Sequence, residues 1–447
     1  FPRRRGVLIP LSLMELAAAL GVGTIPGSTA EGLTTDSRRV RRGDIYVGLK
    51  GRQFDGSLFA KNALDAGAAC CLVEQRTCDD PRCVVVPDAL DALRIVATLV
   101  RSRFHGPVVG ITGSVGKTTV KEFLRTLFSV HPGCVFPDAS HNNFEGLPRT
   151  ICKVEPDTNL LVLELGTNHP GEIAALAQIA RPTLGVLTAI GPAHLEGLVD
   201  IEGVASEKWD LLRALPPGSR AILNGDDRNI RGRPLPLGIQ GVWAGLEPAE
   251  GVTCPVSYSD HDLTLPSGVV LHHALPSKTM VRNLWLALLV GQSLGYPMES
   301  FQEAVAKVRP ASLRGEERRG RAATIILDCY NANPLSMEAA LQNMAARPGR
   351  KVLVLGEMLE LGSQRASAHK DLGKLVAGLD VELALFIGAS RGDFSAGASG
   401  ASFRIETFAS LEEARRAFAG LLDEECTILV KASRGMALER LMEGEAA

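Results

Sequence analysis

Seven residues carry the clearest chemical signal in the chain: Gly113-Ser114-Val115-Gly116-Lys117-Thr118-Thr119. The buried-strand pattern Val108-Val109-Gly110-Ile111-Thr112 precedes them, and a helical pattern from Lys117 to Val130 follows. A Gly-rich turn between strand and helix aims backbone N–H groups at an anion, and the helix N-terminus adds partial positive charge. Lys117 supplies a full charge, and Thr118 can set its hydroxyl on Mg²⁺. The strict Walker spacing requires glycine where Ile111 stands, so the match is to a shorter Thr-Gly-Ser-x-Gly-Lys-Thr turn that works in the same way. On this reading Gly113, Ser114, Gly116, Lys117, Thr118 and Thr119 hold the phosphates of a nucleotide.

A nucleotide site also needs ligands brought from other strands. Ligands of open α/β sheets gather at the carboxyl ends of the strands. Glu164 ends the apolar run Leu160-Leu161-Val162-Leu163 and is a candidate Mg²⁺ ligand, with an acid at a helix start as the alternative. His194 follows the strand pattern Gly185 to Ala189, where a solvated loop histidine is equally compatible. Asp328 closes Thr324 to Leu327 in the same manner.

The elements that must position these groups fall into three blocks. Residues 30 to 105 show short strands (Ile45–Val47, Cys71–Val73, Val84–Val86) with helical stretches at Ser57–Ala66 and Leu90–Phe104, a small α/β unit. His105-Gly106-Pro107 breaks the chain. Alternating strands and helices then imply crossover connections and a mostly parallel sheet. Gly232 to Pro276 reads as strands and loops, the apolar helix Met280–Leu294 and amphipathic Met298–Lys307 follow, and Arg309-Pro310 reads as a linker. Strands at Thr324–Leu327, Lys351–Leu355, Leu383–Ile387 and Thr427–Val430 then alternate with helices in a third, Rossmann-like α/β unit. The expected domains are 1–105, 106–312 and 313–447. No internal repeat is visible.

The 447 residues carry a formal net charge of -2, and only 5% are aromatic. That balance argues against a nucleic-acid partner, which calls for a basic surface and stacking platforms. The nine cysteines form no CxxC pair and read as reduced, buried thiols, which predicts a cytoplasmic protein. Arg3-Arg4-Arg5 before an apolar run imitates a signal peptide, but Glu15 interrupts it, and residues 11 to 20 read as a first amphipathic helix ended by Gly21 and Gly23. Arg282, Asn283 and Gln292 cut the longest apolar stretch, so no membrane insertion is expected.

Together these residues resemble the Mur ligases, from about Thr34 to Leu441. Thr35-Asp36-Ser37-Arg38, Arg42-Gly43-Asp44-Ile45, Leu49-Lys50-Gly51 and Phe54-Asp55-Gly56 are similar to the family's UDP-sugar-binding first domain. The loop at 112–118 matches its ATP loop, and Glu164 to Ile173, Ala193-His194-Leu195-Glu196 and the Lys208 segment match its magnesium region. Asp328-Cys329-Tyr330-Asn331-Ala332-Asn333-Pro334, with Leu355-Gly356-Glu357-Met358, discriminates within the family. Relatives adding other residues usually carry a His-containing motif there, and the diamino-acid-adding branch has an Asp-Asn-Pro-Arg signature absent from this chain. Ser57, Ser140, His141 and Thr279 depart from the family's usual residues.

The resemblance implies an ATP-dependent ligase of peptidoglycan synthesis, monomeric, with substrates UDP-N-acetylmuramoyl-tripeptide and D-alanyl-D-alanine and with ATP and Mg²⁺. The tripeptide carboxylate attacks the γ-phosphate, and the dipeptide amine displaces phosphate from the acyl phosphate. By the same resemblance Thr118 and Glu164 hold one Mg²⁺, while His194 and a CO₂-carboxylated Lys208 serve a second. Asn283 contacts adenine, Arg314 phosphate and Asp328 ribose, while Lys117, Lys208, His194 and Glu164 carry the catalysis. Thr35, Asp36, Ser37, Arg38, Asn143, Asn331, Asn333 and Ser336 contact the other substrates. Asn and Ser before a helix are also natural caps, so Asn333 and Ser336 have that second reading. A Mur-type ligase with another amino donor and a P-loop nucleotide switch are the alternative functions.

Overall fold

A computed structural model describes residues 9–51, 54–138, 140–246 and 248–443. The Arg3–Arg5 run lies outside them. The chain builds three parallel or mostly parallel sheets with helices packed on them, a three-unit α/β architecture. The first sheet runs Gly32–Thr34, Asp44–Gly48, Cys70–Val73 and Cys83–Val85 in sequential order, all parallel. The central sheet has Val108–Thr112 between Leu184–Leu187 and Leu160–Glu164, and all its pairings are parallel. The third places Thr324–Asp328 and Lys351–Gly356 on either side of Thr427–Lys431.

Buried parallel strands carry helices on both faces, so they read as continuous apolar runs. Val108–Thr112 is buried at every position. The apolar helix Lys278–Ser293 serves the same sheet: Leu284, Trp285, Leu286 and Leu288 are buried with Ile111, Val120, Phe123 and Val186. Among the described residues no helix is long and apolar enough to cross a membrane.

The helix Ala89–Arg103 begins where Asp88 accepts from Asp91 N at 2.9 Å, an N-cap bond. Its Leu93, Val96 and Val100 share one core with Leu161, Leu163 and Ile173 of the central unit. Buried Arg101 ties the same seam, donating to the carbonyls of Ala180 at 2.6 Å, Phe104 at 2.7 Å and Arg181 at 2.5 Å. A further core joins Ile190, Leu195 and Leu198 to Met337, Met358 and Leu361, so the central and third units pack face to face beside the phosphate loop.

Several elements differ from expectation. Ser57–Ala66 divides into a 3-10 turn, Gly56–Phe59, and a helix, Ala60–Asp65, because the Asp55 carboxylate draws in Ser57 N at 2.8 Å. Leu11–Ser12 pairs as a short strand with Thr29–Ala30 before the helix Leu13–Leu20, which ends at Gly21 in the left-handed region, φ 65°. Met298–Lys307 shortens to a 3-10 turn and one α-turn, Gln302–Val305. The strand Glu316–Arg319, all charged, forms the antiparallel edge of the third sheet. Charge on an edge strand discourages pairing with another chain, and it also hides the strand from any apolar pattern.

Candidate active site

Strand Val108–Thr112 delivers the chain into the turn at Gly113, and Gly116 caps the helix Lys117–Leu127. Both glycines have positive φ, 151° and 89°. A Cβ on Gly113 would fall 2.0 Å from Thr188 Oγ1, and one on Gly116 would fall 2.9 Å from Asn283 Oδ1. The loop therefore closes against two neighbouring elements and leaves no room for side chains. Lys117 Nζ donates to Gly113 O at 2.5 Å. Burial pushes the Lys117 pKa down, Glu164 opposes that shift, and the Arg314 guanidinium adds to it.

Thr118 is the hub. Its hydroxyl lies 3.1 and 3.0 Å from the two oxygens of Glu164, which is 1% exposed at the end of its strand. Asn142 Nδ2 donates to Glu164 Oε1 at 3.0 Å, and Arg314 Nη2, from the third unit, donates to Thr118 Oγ1 at 2.9 Å. A hydroxyl and a carboxylate side by side are hard oxygen donors, and Mg²⁺ takes few protein ligands and keeps water or phosphate for the rest. The pair fits that cation. Among the described residues no group of three His, Cys, Asp or Glu side chains converges to form a fuller cage.

His194 and Asp328 line the same cleft as Asn283 and Arg314, a cavity of about 430 Å³. His194 precedes the short helix Leu195–Leu198 with φ 54°, and its Nδ1 lies 2.9 Å from Glu360 Oε2 of the third unit. Asp328 Oδ2 accepts from Lys431 Nζ at 2.6 Å. Lys208 is not a surface lysine. It is 1% exposed on the helix Ile201–Arg213 and is not among the residues that line the cleft, and its pKa is pushed well below the ordinary lysine value. Burial is the main cause, and the nearby Lys117 charge adds to it while Glu207 opposes it.

Three regions of the chain match Mur ligase domain profiles: the family's catalytic domain over residues 29–109, the middle domain over 111–251 and the glutamate ligase domain over 314–434. The chain is 31% identical over 448 residues to the UDP-N-acetylmuramoyl-tripeptide–D-alanyl-D-alanine ligase of Escherichia coli K12, spanning 97% of this chain and 98% of that one. It belongs to the Mur ligase family. The Bacillus subtilis ligase of the same name is 29% identical, with 92% of each chain covered. Among solved structures, MurF from Acinetobacter baumannii superposes with a TM-score of 0.85 at 26% identity, covering 97% of this chain and 98% of that one. The Thermotoga maritima MurF ligase in complex with ADP gives 0.81 at 27%, covering 92% and 96%.

In this Mur ligase the remaining sequence-predicted residues divide between two places. Thr35, Asp36, Ser37 and Arg38 line a separate groove of about 1750 Å³, shared with His141, Glu145 and Arg149 of the central unit. The Arg38 guanidinium bonds the Asp36 carboxylate at 2.9 Å on both oxygens and holds its pKa down at about 2. Asn143, Asn331, Asn333 and Ser336 line the cleft that holds Lys117, Thr118 and Glu164. Asn333 and Ser336 also form a reciprocal capping box on the helix Pro334–Ala345, 2.8 and 3.0 Å, so those polar atoms already serve the helix. Asn143 Oδ1 accepts from Gly146 N at 2.8 Å in the same capping manner.

Sequence reading gave no role to Glu207, Glu360, Lys431 or Asn142, although Lys431-Ala432-Ser433-Arg434 after the last strand resembles the family's C-terminal basic motif. Lys431 had one usable signal, its place at the end of the strand pattern Thr427–Val430; only the structure shows that this sets it in register with Asp328. Glu207 had none. It lies mid-helix, and the groups it binds are more than thirty residues away.

Proposed function

We propose that this chain is an ATP-dependent ligase of peptidoglycan precursor synthesis that joins D-alanyl-D-alanine to UDP-N-acetylmuramoyl-tripeptide. The observation that carries the reading is the meeting of Lys117, Thr118, Glu164 and Arg314 at one cleft, in a chain collinear over nearly its full length with ligases named for that reaction. A carboxylate is a poor acyl donor because its oxide does not leave. Phosphorylation by ATP makes it a leaving group, and the dipeptide amine then forms the amide.

Two anions must approach for that to happen. Lys117, Arg314 and the N-terminus of the helix Lys117–Leu127 supply the positive charge, and the glycine turn sets the phosphates in line. Thr118 and Glu164 are assigned one Mg²⁺, and His194 and Lys208 a second; bound there, the cation neutralises phosphate charge. The depressed pKa of Lys208 supports its carboxylation, since only the neutral amine attacks CO₂, losing a proton to give a carbamate. Asn283 is assigned to adenine, Asp328 to ribose, and the groove at Thr35–Arg38 to the UDP-sugar. Asn143, Asn331, Asn333 and Ser336 are assigned to the peptide side of the cleft.

The domain limits are placed at about 105 and 312, and the protein is assigned to the cytoplasm, acting as a monomer. Purified protein should release ADP only when both UDP-tripeptide and D-alanyl-D-alanine are present, and single amino acids should not replace the dipeptide. ADP release indifferent to the dipeptide would overturn the assignment in favour of another donor or a nucleotide switch.

A further inference from the structure

Four side chains from two units close a ring above the phosphate loop. Arg314 Nη2 donates to Thr118 Oγ1 at 2.9 Å, and the Arg314 guanidinium carbon lies 3.9 Å from the centroid of the Tyr330 ring. Tyr330 OH meets Ser140 Oγ at 2.5 Å, and Ser140 Oγ returns to Thr118 Oγ1 at 3.5 Å. Arg314 and Tyr330 belong to the third unit, Thr118 and Ser140 to the central one. The backbone makes the first pair move together, because Tyr330 N donates to Leu313 O at 3.1 Å and Gly315 N to Leu327 O at 2.9 Å. Leu313 takes a positive φ, 57°, and Gly315 another, 77°, to present Arg314 from this tight turn.

An arginine side chain has several rotatable bonds, and leaving it free beside a phosphate site costs ordering entropy when the ligand arrives. The aromatic face removes most of that freedom by a cation–π contact, while the hydroxyl–hydroxyl bond fixes the ring itself. We propose that Tyr330 and Ser140 are positioning residues: they hold Arg314 over the phosphate loop and register the third unit against the central one before nucleotide binds. The proposal rests on the functional reading above, in that Arg314 is taken to face phosphate.

The test separates the two. Affinity for a fluorescent mant-ATP probe is measured with no other substrate, beside KM for ATP and kcat in the full reaction. Tyr330→Phe keeps the ring and loses the bond to Ser140, Ser140→Ala loses the same bond from the other side together with the 3.5 Å contact to Thr118, and Tyr330→Leu loses both the bond and the face. Each of the first two should weaken mant-ATP binding and raise the ATP KM by about 3- to 10-fold, the scale of one hydrogen bond. Their double variant should be no weaker than Ser140→Ala alone, and kcat at saturating ATP should stay within about twofold. Tyr330→Leu should lose about another 3- to 10-fold. Effects of Phe and Ala that multiply in the double variant, or a Leu variant equal to the Phe variant, overturn the proposal. Wild-type protein that binds mant-ATP but shows no dipeptide-dependent turnover overturns the functional reading and leaves the binding comparison intact. Tyr330→Phe tests the bond with the ring still in place, should Tyr330→Leu fold poorly.

Discussion

Replacing Glu207 by Ala should destabilise the central unit by about 2–5 kcal/mol, although the residue was invisible as anything but a helical acid. The helix Glu172–Ala180 starts at Gly171, which has no side chain with which to cap it. Glu207, 4% exposed, does so from a distant helix: Oε2 accepts from Gly171 N at 2.6 Å, and Oε1 accepts from Ile173 N at 2.7 Å and from Thr167 Oγ1 at 3.2 Å. Truncation strands the Ile173 N–H away from water at about 1–3 kcal/mol and loses the bond to the N–H of solvent-exposed Gly171, about 0.5–1.5 kcal/mol. Loss of a carboxylate at a helix N-terminus adds about 0.3–1 kcal/mol. Glu207→Gln keeps one acceptor oxygen and should cost about half as much. The assay is urea unfolding followed by tryptophan fluorescence, since Trp209, Trp243 and Trp285 all belong to the central unit. Because Thr167 and Asn168 line the cleft, a rise in the ATP KM of the Gln variant should accompany the stability loss. A Glu207→Ala variant within about 1 kcal/mol of wild type would refute the capping argument.

Two further outcomes follow from buried titratable groups. His369, fully buried, presents Nδ1 to Arg365 O at 2.8 Å and accepts from Met358 N at Nε2, 3.0 Å, so the fold requires the neutral ring. Burial lowers its pKa below the ordinary 6.5, and the unfolded chain therefore binds the extra proton. The stability this contributes is whole above pH 6.5 and is lost as pH falls through the folded-state pKa, at up to about 1.4 kcal/mol per pH unit. Hydrogen exchange of the strand Lys351–Gly356 should show that slope, and His369→Met should flatten it; an unchanged slope would assign the effect elsewhere. Lys208→Met removes a desolvated amine at nearly constant volume, so the melting temperature should hold while turnover falls by about 10²-fold or more, the scale of one electrostatic group at a reacting centre. Full turnover in that variant would remove Lys208 from the chemistry.

The linear chain determined whatever depends on local pattern. The phosphate loop was legible because strand, glycines, lysine and hydroxyl must be contiguous to form an anion cradle, and the buried strands were legible because a covered parallel sheet tolerates only apolar side chains. Glu164, His194 and Asp328 could be nominated for the same reason, each ending or following a strand. The tertiary structure decided what no spacing encodes. It buried Lys208 beside Lys117, spent Asn333 and Ser336 on a helix cap, and set Lys431 on Asp328. It also brought Arg314 and Tyr330 across a domain seam onto Thr118 and Ser140, nearly two hundred residues away in sequence. Electrostatics and hydrogen bonds act over a few ångströms of space and are indifferent to chain separation, so groups that meet only after packing leave no periodic trace in the sequence.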